Sequence, residues 1–338
     1  MHMTRITKSE GIGREVRLGR VRFESKYLAI QYYHEEKDWS IRWMCRQLGI
    51  SKAAYYKWLH RVVPGTEREN LLLAELIREY DEQYNHILGY RRMTLWINRL
   101  NAAQFSENRV HRIMKAIGVH SVIRRQTRKY RKSIPERTAE NILKRDFNAS
   151  KPNEKWVTDV TEFKWYDGPV CHKLYLSAIL DLYDRCVVAY VLSRRNDNSL
   201  VFQTFEKAVA NNPNAKPIFH SDRGFQYTSR YFQSRLNDQG MEQSMSRVAH
   251  CVDNGPAEGF WGIIKSEMYY LQKFESEKSL RSAIEKYIYF YNYERFQKRF
   301  DGHTPMEIRT EALNAIKPAL YPIPENKRIQ KYKQKYTA

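Results

Sequence analysis

The sequence predicts a multidomain protein with α-helical helix-turn-helix units at its N-terminal end, followed by an α/β core with a mixed five-stranded sheet and flanking helices. Three observations carry that expectation. The chain has 338 residues, more than the ~100–200 of an ordinary domain. Apolar residues recur at helical spacing up to about residue 118 and give way, from about residue 153, to short β-branched and aromatic runs joined by turns. Charge is uneven as well. Of a net +20, from 58 Lys plus Arg against 38 Asp plus Glu, residues 1–150 hold 30 basic and 16 acidic side chains and residues 151–338 hold 28 and 22.

A basic excess of this size favours a polyanionic partner such as nucleic acid or an anionic membrane face. No run approaches the ~18 apolar residues that a membrane span needs, and the basic N-terminus lacks a signal-peptide core. Nucleic acid therefore outranks a membrane as partner. Cys45, Cys171, Cys186 and Cys251 form no C-x-x-C pair, which argues against a zinc ribbon or a disulfide-stapled secreted fold and fits a reducing cytosol.

Residues 1–30 form a basic extension with no sustained heptad pattern. Residues 31–62 are expected to hold a helix-turn-helix: in "SIRWMCRQLGISKAAYYKWLHR" Ser40 can cap one helix and Gly49 can take the positive φ of the turn. Met44, Leu48, Ile50, Tyr55 and Trp58 would be its core, with small Cys45 at the close approach, leaving Lys52, Tyr56, Lys57 and Arg61 exposed on the second helix. An ordinary helical hairpin would give the same pattern. Residues 66–120 read as a second helical DNA-binding unit of three helices. Ser106 is its third N-cap and Gly118 its stop, with Val110, Ile113, Met114 and Ile117 on one stripe and Arg91, Arg92, Arg109, Arg112 and Lys115 on other faces. A solvated charged bundle is the plainer alternative. Residues 121–152 form a basic linker; its "SVIRRQTRKYRKS", with Arg124 and Arg125, could follow phosphates without base specificity.

The core is expected over 153–312. "KWVTDVTEFKW", "KLYLSAILDLY" and "RCVVAYVLS" predict an antiparallel meander. "NSLVFQTFEKAVANN" then reads as a helix, "KPIFHSD" as a strand, "SRYFQSRLNDQG" as a helix, "MEQSMS" as a strand and 256 to about 270 as a helix. A basic tail, 313–338, follows. Asp159 lies in the first strand, Asp222 ends the fourth and Glu258 sits in the first turn of the last helix. Ligands of such sheets bind where strands end and helices begin. Three converging carboxylates repel one another unless a cation lies between them, and Mg²⁺ or Mn²⁺ is the hard, oxygen-seeking choice. Two such ions ~4 Å apart suit phosphodiester chemistry. Taken singly, each acid could be a turn cap, a helix-dipole partner or a hydrogen-bonded strand acid. His220 shares a strand face with Asp222 and is either a support for the site or a satisfied core histidine.

The words "WVTDVTEF", "HSDRGFQYTS" and "DNGPAEGFWGIIKSE", with thirty-five residues between Asp222 and Glu258, resemble the DDE catalytic core shared by retroviral integrases and bacterial insertion-sequence transposases. The match is close to the second-frame product of the insertion-sequence family numbered three, from about residue 30 to 312, including the late "YNYERFQKRFDGHTPMEIR". The resemblance implies a ribonuclease-H-like core, with Asp159, Asp222 and Glu258 as catalytic metal ligands for two Mg²⁺ or Mn²⁺ ions. It aligns Lys265, just under two helical turns after Glu258, with a basic position, here directed at DNA phosphate. It implies a transposase that binds the terminal repeats of its element, cleaves one strand and transfers the freed 3′-hydroxyl. That protein would work at least as a dimer in the bacterial cytoplasm, at the nucleoid, with a possible first-frame partner. A structure-selective nuclease and a catalytically inactive repressor are the rival functions. The sequence departs from the family at Ala249, His250, Gly255 and Gly259, where Gly-Asn, Ala and Ser are common.

Overall fold

The computed structural model describes residues 23–60, 65–123, 142–143, 146–246 and 254–323. Expectations for Arg61, Arg124, Arg125, Ala249, His250, most of the extension and linker, and the tail after 323 lie outside the described residues. The chain divides into two compact units, Met1–Val122 and Ile123–Ala338.

In the first unit, α1 (Glu24–Lys37), α2 (Ile41–Gln47) and α3 (Lys52–Leu59) share one small core of Tyr27, Ile30, Met44, Cys45, Tyr55 and Trp58. Ser40 caps α2 and Ser51 caps α3, and Gly49 takes φ +63° in the turn between them. The two helices expected on either side of that turn are α2 and α3. Helix α1 begins ahead of residue 31, because Tyr27 stacks on Trp58 at 5.3 Å and is needed to close the core. The next three helices are α4 (Gly65–Gln83), α5 (Tyr90–Leu100) and α6 (Glu107–Ala116). Ser106 caps α6, Gly118 follows it at φ +76°, and Val110, Ile113 and Met114 are buried as their spacing requires. Arg109 does not decorate a free face: its guanidinium donates to Asn70 and Glu69, each at 2.9 Å, and ties α6 to α4.

The second unit carries a five-stranded mixed sheet in the order β3-β2-β1-β4-β5. Strands β1 (Lys155–Asp167), β2 (Val170–Asp181) and β3 (Val187–Ser193) form the antiparallel meander, and β4 (Ile218–Ser221) and β5 (Glu242–Met245) run parallel to β1. Helices α7 (Asn198–Asn211) and α8 (Arg230–Asp238) belong to one face and α9 (Gly255–Glu267) and α10 (Glu277–Tyr293) to the other, with α11 (Pro305–Asn314) closing the chain. Alternation along β1 separates the two cores. Trp156 points into the α7/α8 side with Phe205, Phe219 and Phe232, whereas Val157 and Phe163 point into the α9/α10 side with Phe260, Trp261 and Ile264. Burial of each of these large side chains contributes roughly 1.5–3 kcal/mol.

The closing words of the sequence are structural anchors. Arg295 and Tyr287 both donate to the buried Glu267, the first through a bidentate pair at 2.8 and 3.0 Å, which joins α10 to the end of α9. Thr304 and Glu307 make a reciprocal capping box on α11. Arg309 of α11 reaches Asp181 and Asp184 at the β2–β3 connection. Among the described residues no helix is long and apolar enough to cross a membrane.

Candidate active site

The site arises where two parallel strands part. β4 pairs with β1 only over Lys155 to Val157, and the last register partners are Val157 and His220. Two residues beyond that pair come Asp159, which leaves the sheet on the same face as Val157, and Asp222, one residue past the end of β4 and near enough for its charge to act on Asp159. The face of Asp159 is the one covered by α9, since Val157 and Phe163 of the same parity pack there.

Past the fork, the freed edge of β1 is covered by α9 and the segment after it. Asn254, at the N-cap of α9, donates its carboxamide to the carbonyl of Thr158 at 3.0 Å. The indole Nε1 of Trp261 donates to Asp159 Oδ2 at 2.9 Å. The Tyr269 hydroxyl pairs with both the N–H and the carbonyl of Lys164, each at 3.0 Å. These contacts replace the missing strand and fix the helix that carries Glu258. Pro256 fits the first turn, where its lack of an N–H costs nothing.

The electrostatics follow from the crowding. Asp159 is pushed up to about 7, chiefly by burial and then by the charge of Asp222, with a smaller push from Glu258; hydrogen bonds from Trp261 and the Val160 N–H pull it partly back. Burial also raises Asp222, against the Gly224 N–H that donates to its Oδ1 at 2.9 Å. Asp222 and Glu258 therefore both lie within electrostatic reach of Asp159. Among the described residues no three His, Cys, Asp or Glu side chains stand close enough to hold a single metal ion. The donor chemistry nonetheless fits a hard divalent cation, because the donors are carboxylate oxygens.

A pH dependence follows. An unfolded carboxyl titrates near 3.8 and folded Asp159 near 7, so over that interval the folded chain holds a proton that the unfolded chain lacks. Its contribution to stability is lost as pH rises from about 4 to about 7. Metal-free Asp159→Asn is expected to melt several °C above the wild type at pH 8. Near pH 4 the difference should be almost gone. Calorimetry at both pH values checks this.

Gly224 holds the Asp222 loop in place. A Cβ there would lie 2.9 Å from Gln226 Oε1, 3.0 Å from Asp222 Oδ1 and 3.4 Å from Tyr227 Cδ2. Gln226 cannot easily yield, being buried and bonded to Asn196 at 2.7 Å. Gly224→Ala should displace the Asp222 carboxyl and slow strand cleavage by about 10–100-fold, the scale of a ~1 Å misplacement, with DNA binding intact in a gel-shift titration. At Gly255 and Gly259, by contrast, a Cβ would meet nothing within 4 Å, so crowding does not explain those departures from the family pattern.

Other expected residues fall as follows. His220 is a fully buried core histidine, bonded to Ser244 and Ser246 at 2.9 and 3.2 Å. Lys265 lies on α9 with Glu258, its ammonium 5.3 Å from the Phe163 ring. Lys52 and Lys57 are exposed on α3, with the Lys52 ammonium 5.6 Å from the Tyr56 ring. Phe260 and Trp261 pack the helix as expected, but the polar contacts of Trp261 and Asn254 were not foreseen. The only sequence signal was position, with Trp261 three residues after Glu258 on one helix face and Asn254 four before it.

Comparison with known proteins places this arrangement among similar chains. Residues 149–251 and 258–313 each match an integrase core domain family, and residues 67–127 match the HTH-like domain family. A putative transposase, InsK, of insertion sequence element IS150 from Escherichia coli is 39% identical over 71% of this chain and 82% of its own length. A transposase-like protein of Haemophilus influenzae is 41% identical over 62% of this chain and 96% of its own length. The solved structure of the HTLV-2 integrase catalytic core domain in complex with magnesium is similar over 47% of this chain and 97% of that one, with 23% identity and a TM-score of 0.38.

Proposed function

This chain belongs to the DDE transposases of bacterial insertion sequences, and on that premise we propose that it binds the terminal repeats of its element, cleaves one strand there and joins the freed 3′ end to a second strand. The observation that carries the reading is the fork itself: Asp159 on β1 and Asp222 just past the end of β4, within electrostatic reach of each other, with the Glu258 helix clipped beside them.

Asp159, Asp222 and Glu258 would hold Mg²⁺ or Mn²⁺, two ions when fully loaded, and the bound charge would stabilise the phosphate and the oxygens entering and leaving it. The chain's own residues set the geometry. Trp261 and the Val160 N–H orient Asp159, Gly224 orients Asp222, and Asn254 fixes the start of the Glu258 helix. In the first step a water oxygen attacks the phosphodiester at the element boundary and the 3′ oxygen leaves, taking up a proton. In the second that 3′-hydroxyl attacks another phosphodiester in-line, and the 3′ oxygen of the broken strand departs. No Ser or Tyr nucleophile is required.

Lys52, Tyr56 and Lys57 on α3 would contact terminal-repeat DNA. Arg124 and Arg125 would follow phosphates, and Lys265 would meet a phosphate beside the site. Holding two ends together calls for at least a dimer, with a first-frame protein as a further partner, in the cytoplasm at the nucleoid. The test compares duplexes ending in the repeats that flank the reading frame with shuffled duplexes of equal composition. Nicking at the boundary of the first alone, dependent on divalent cation, supports the reading. Equal nicking of both, or preference for branched DNA, sinks it in favour of a structure-selective nuclease.

A further inference from the structure

We infer that Trp261 is a positioning residue of the reaction: its indole N–H aims the Asp159 carboxylate, so that the helix bearing Glu258 also sets the orientation of the acid opposite. The inference rests on the proposed metal-dependent chemistry and concerns how its ligands are held.

Four observations support it. Trp261 is buried, at 5% exposure, and its one polar atom is spent on Asp159 Oδ2 at 2.9 Å, across 102 positions of sequence. Such pairing is not forced by burial alone, since on the same strand Trp165 keeps its Nε1 buried with no acceptor. The other oxygen of Asp159 accepts the Val160 N–H at 2.8 Å. Each oxygen thus has one fixed donor and keeps a lone pair for a cation. Finally, Asn254 bonds the carbonyl of Thr158, one residue before Asp159, so α9 grips β1 at two consecutive residues, and Glu258 lies between the two grips on the same helix.

Packing alone would be served by phenylalanine, as neighbouring Phe260 shows by filling the same core cluster with its ring. A donor to a carboxylate adds direction, and a charge-assisted bond is about twice as strong as a neutral one.

The test titrates the full chain with Mn²⁺ in a calorimeter and follows cleavage of terminal-repeat duplexes over a range of Mn²⁺ concentrations. Trp261→Phe is expected to bind DNA and melt like the wild type, to bind Mn²⁺ about 10-fold more weakly, and to recover most of its cleavage rate at saturating Mn²⁺. Unchanged or tighter Mn²⁺ binding would overturn the inference and leave Trp261 a packing residue. Trp261→His keeps a ring N–H but fills less volume than Phe. Affinity nearer the wild type than that of the Phe variant supports positioning, and affinity equal to or below that of the Phe variant contradicts it, even if the Phe variant folds poorly. Failure of the wild type itself to bind Mn²⁺ would overturn the metal-site reading, and this inference with it.

Discussion

Asp159→Asn is expected to bind terminal-repeat DNA as the wild type does and to leave it uncut, with cleavage down by at least ~10³-fold, the scale on which losing one preorganised electrostatic group lowers turnover. The substitution is nearly isosteric and leaves an acceptor oxygen for the Trp261 indole, which donates to Asp159 at 2.9 Å, so the fork should keep its shape. What it removes is one carboxylate of a close pair, the one that burial first and the charge of Asp222 second push up to about 7. Asp222→Asn and Glu258→Gln should behave alike. A single-turnover assay on end-labelled duplexes, with a gel shift run beside it, separates loss of chemistry from loss of binding. Cleavage within 10-fold of the wild type would remove Asp159 from the catalytic set.

Arg309→Met is expected to have the largest effect on stability. The guanidinium is buried and reaches four acceptors: Asp181 and Asp184 at 3.0 and 2.7 Å, and Asn153 and Asn212 at 2.6 and 2.7 Å. Both acids are fully buried, so removing the cation strands two carboxylates and should cost about 3–5 kcal/mol, roughly 10 °C in melting temperature. Even with Arg309 present, one cation between two acids leaves a surplus negative charge, and burial together with Asp181 holds Asp184 above the usual carboxylate range. Its folded value exceeds its unfolded one, so its contribution falls as pH rises between the two. The deficit of Arg309→Met should therefore be small near pH 4 and grow toward pH 8, as urea unfolding at both pH values would record. A deficit independent of pH would mean that α11 is held by packing.

Much of this was legible in the sequence, and what escaped has physical causes. The meander and the two short parallel strands announce themselves as β-branched and aromatic runs, because both faces of the sheet lie in a core, and α7 to α9 read as helices between and after them. Helix α1 does not: of its fourteen residues only Tyr27 and Ile30 are buried, among charged and half-buried aromatic neighbours. The end of α10 and the start of α11 fall inside a family signature, residues 291–309, whose charged residues look solvated. Arg295 and Arg309 are buried instead, satisfied by Glu267, Asp181 and Asp184 from remote parts of the chain, and no local pattern reports a partner that far away. The same holds at the site. Spacing and flanking words pick out Asp159, Asp222 and Glu258, whereas the Asn254 and Trp261 contacts exist only because β1 and β4 part after Val157 and His220, a break in pairing that the residue pattern does not mark.

Strand transfer tests the central claim most directly. The wild-type chain is incubated with Mg²⁺, a 3′-end duplex of the terminal repeat labelled on the transferred strand, and a supercoiled plasmid. The account expects label to become covalently attached to plasmid DNA, resistant to protease and denaturant, in the wild type and not in Glu258→Gln. Label that is nicked at the repeat boundary yet never joins another strand, with or without a first-frame partner protein added, would contradict it and make the protein a nuclease on a transposase fold.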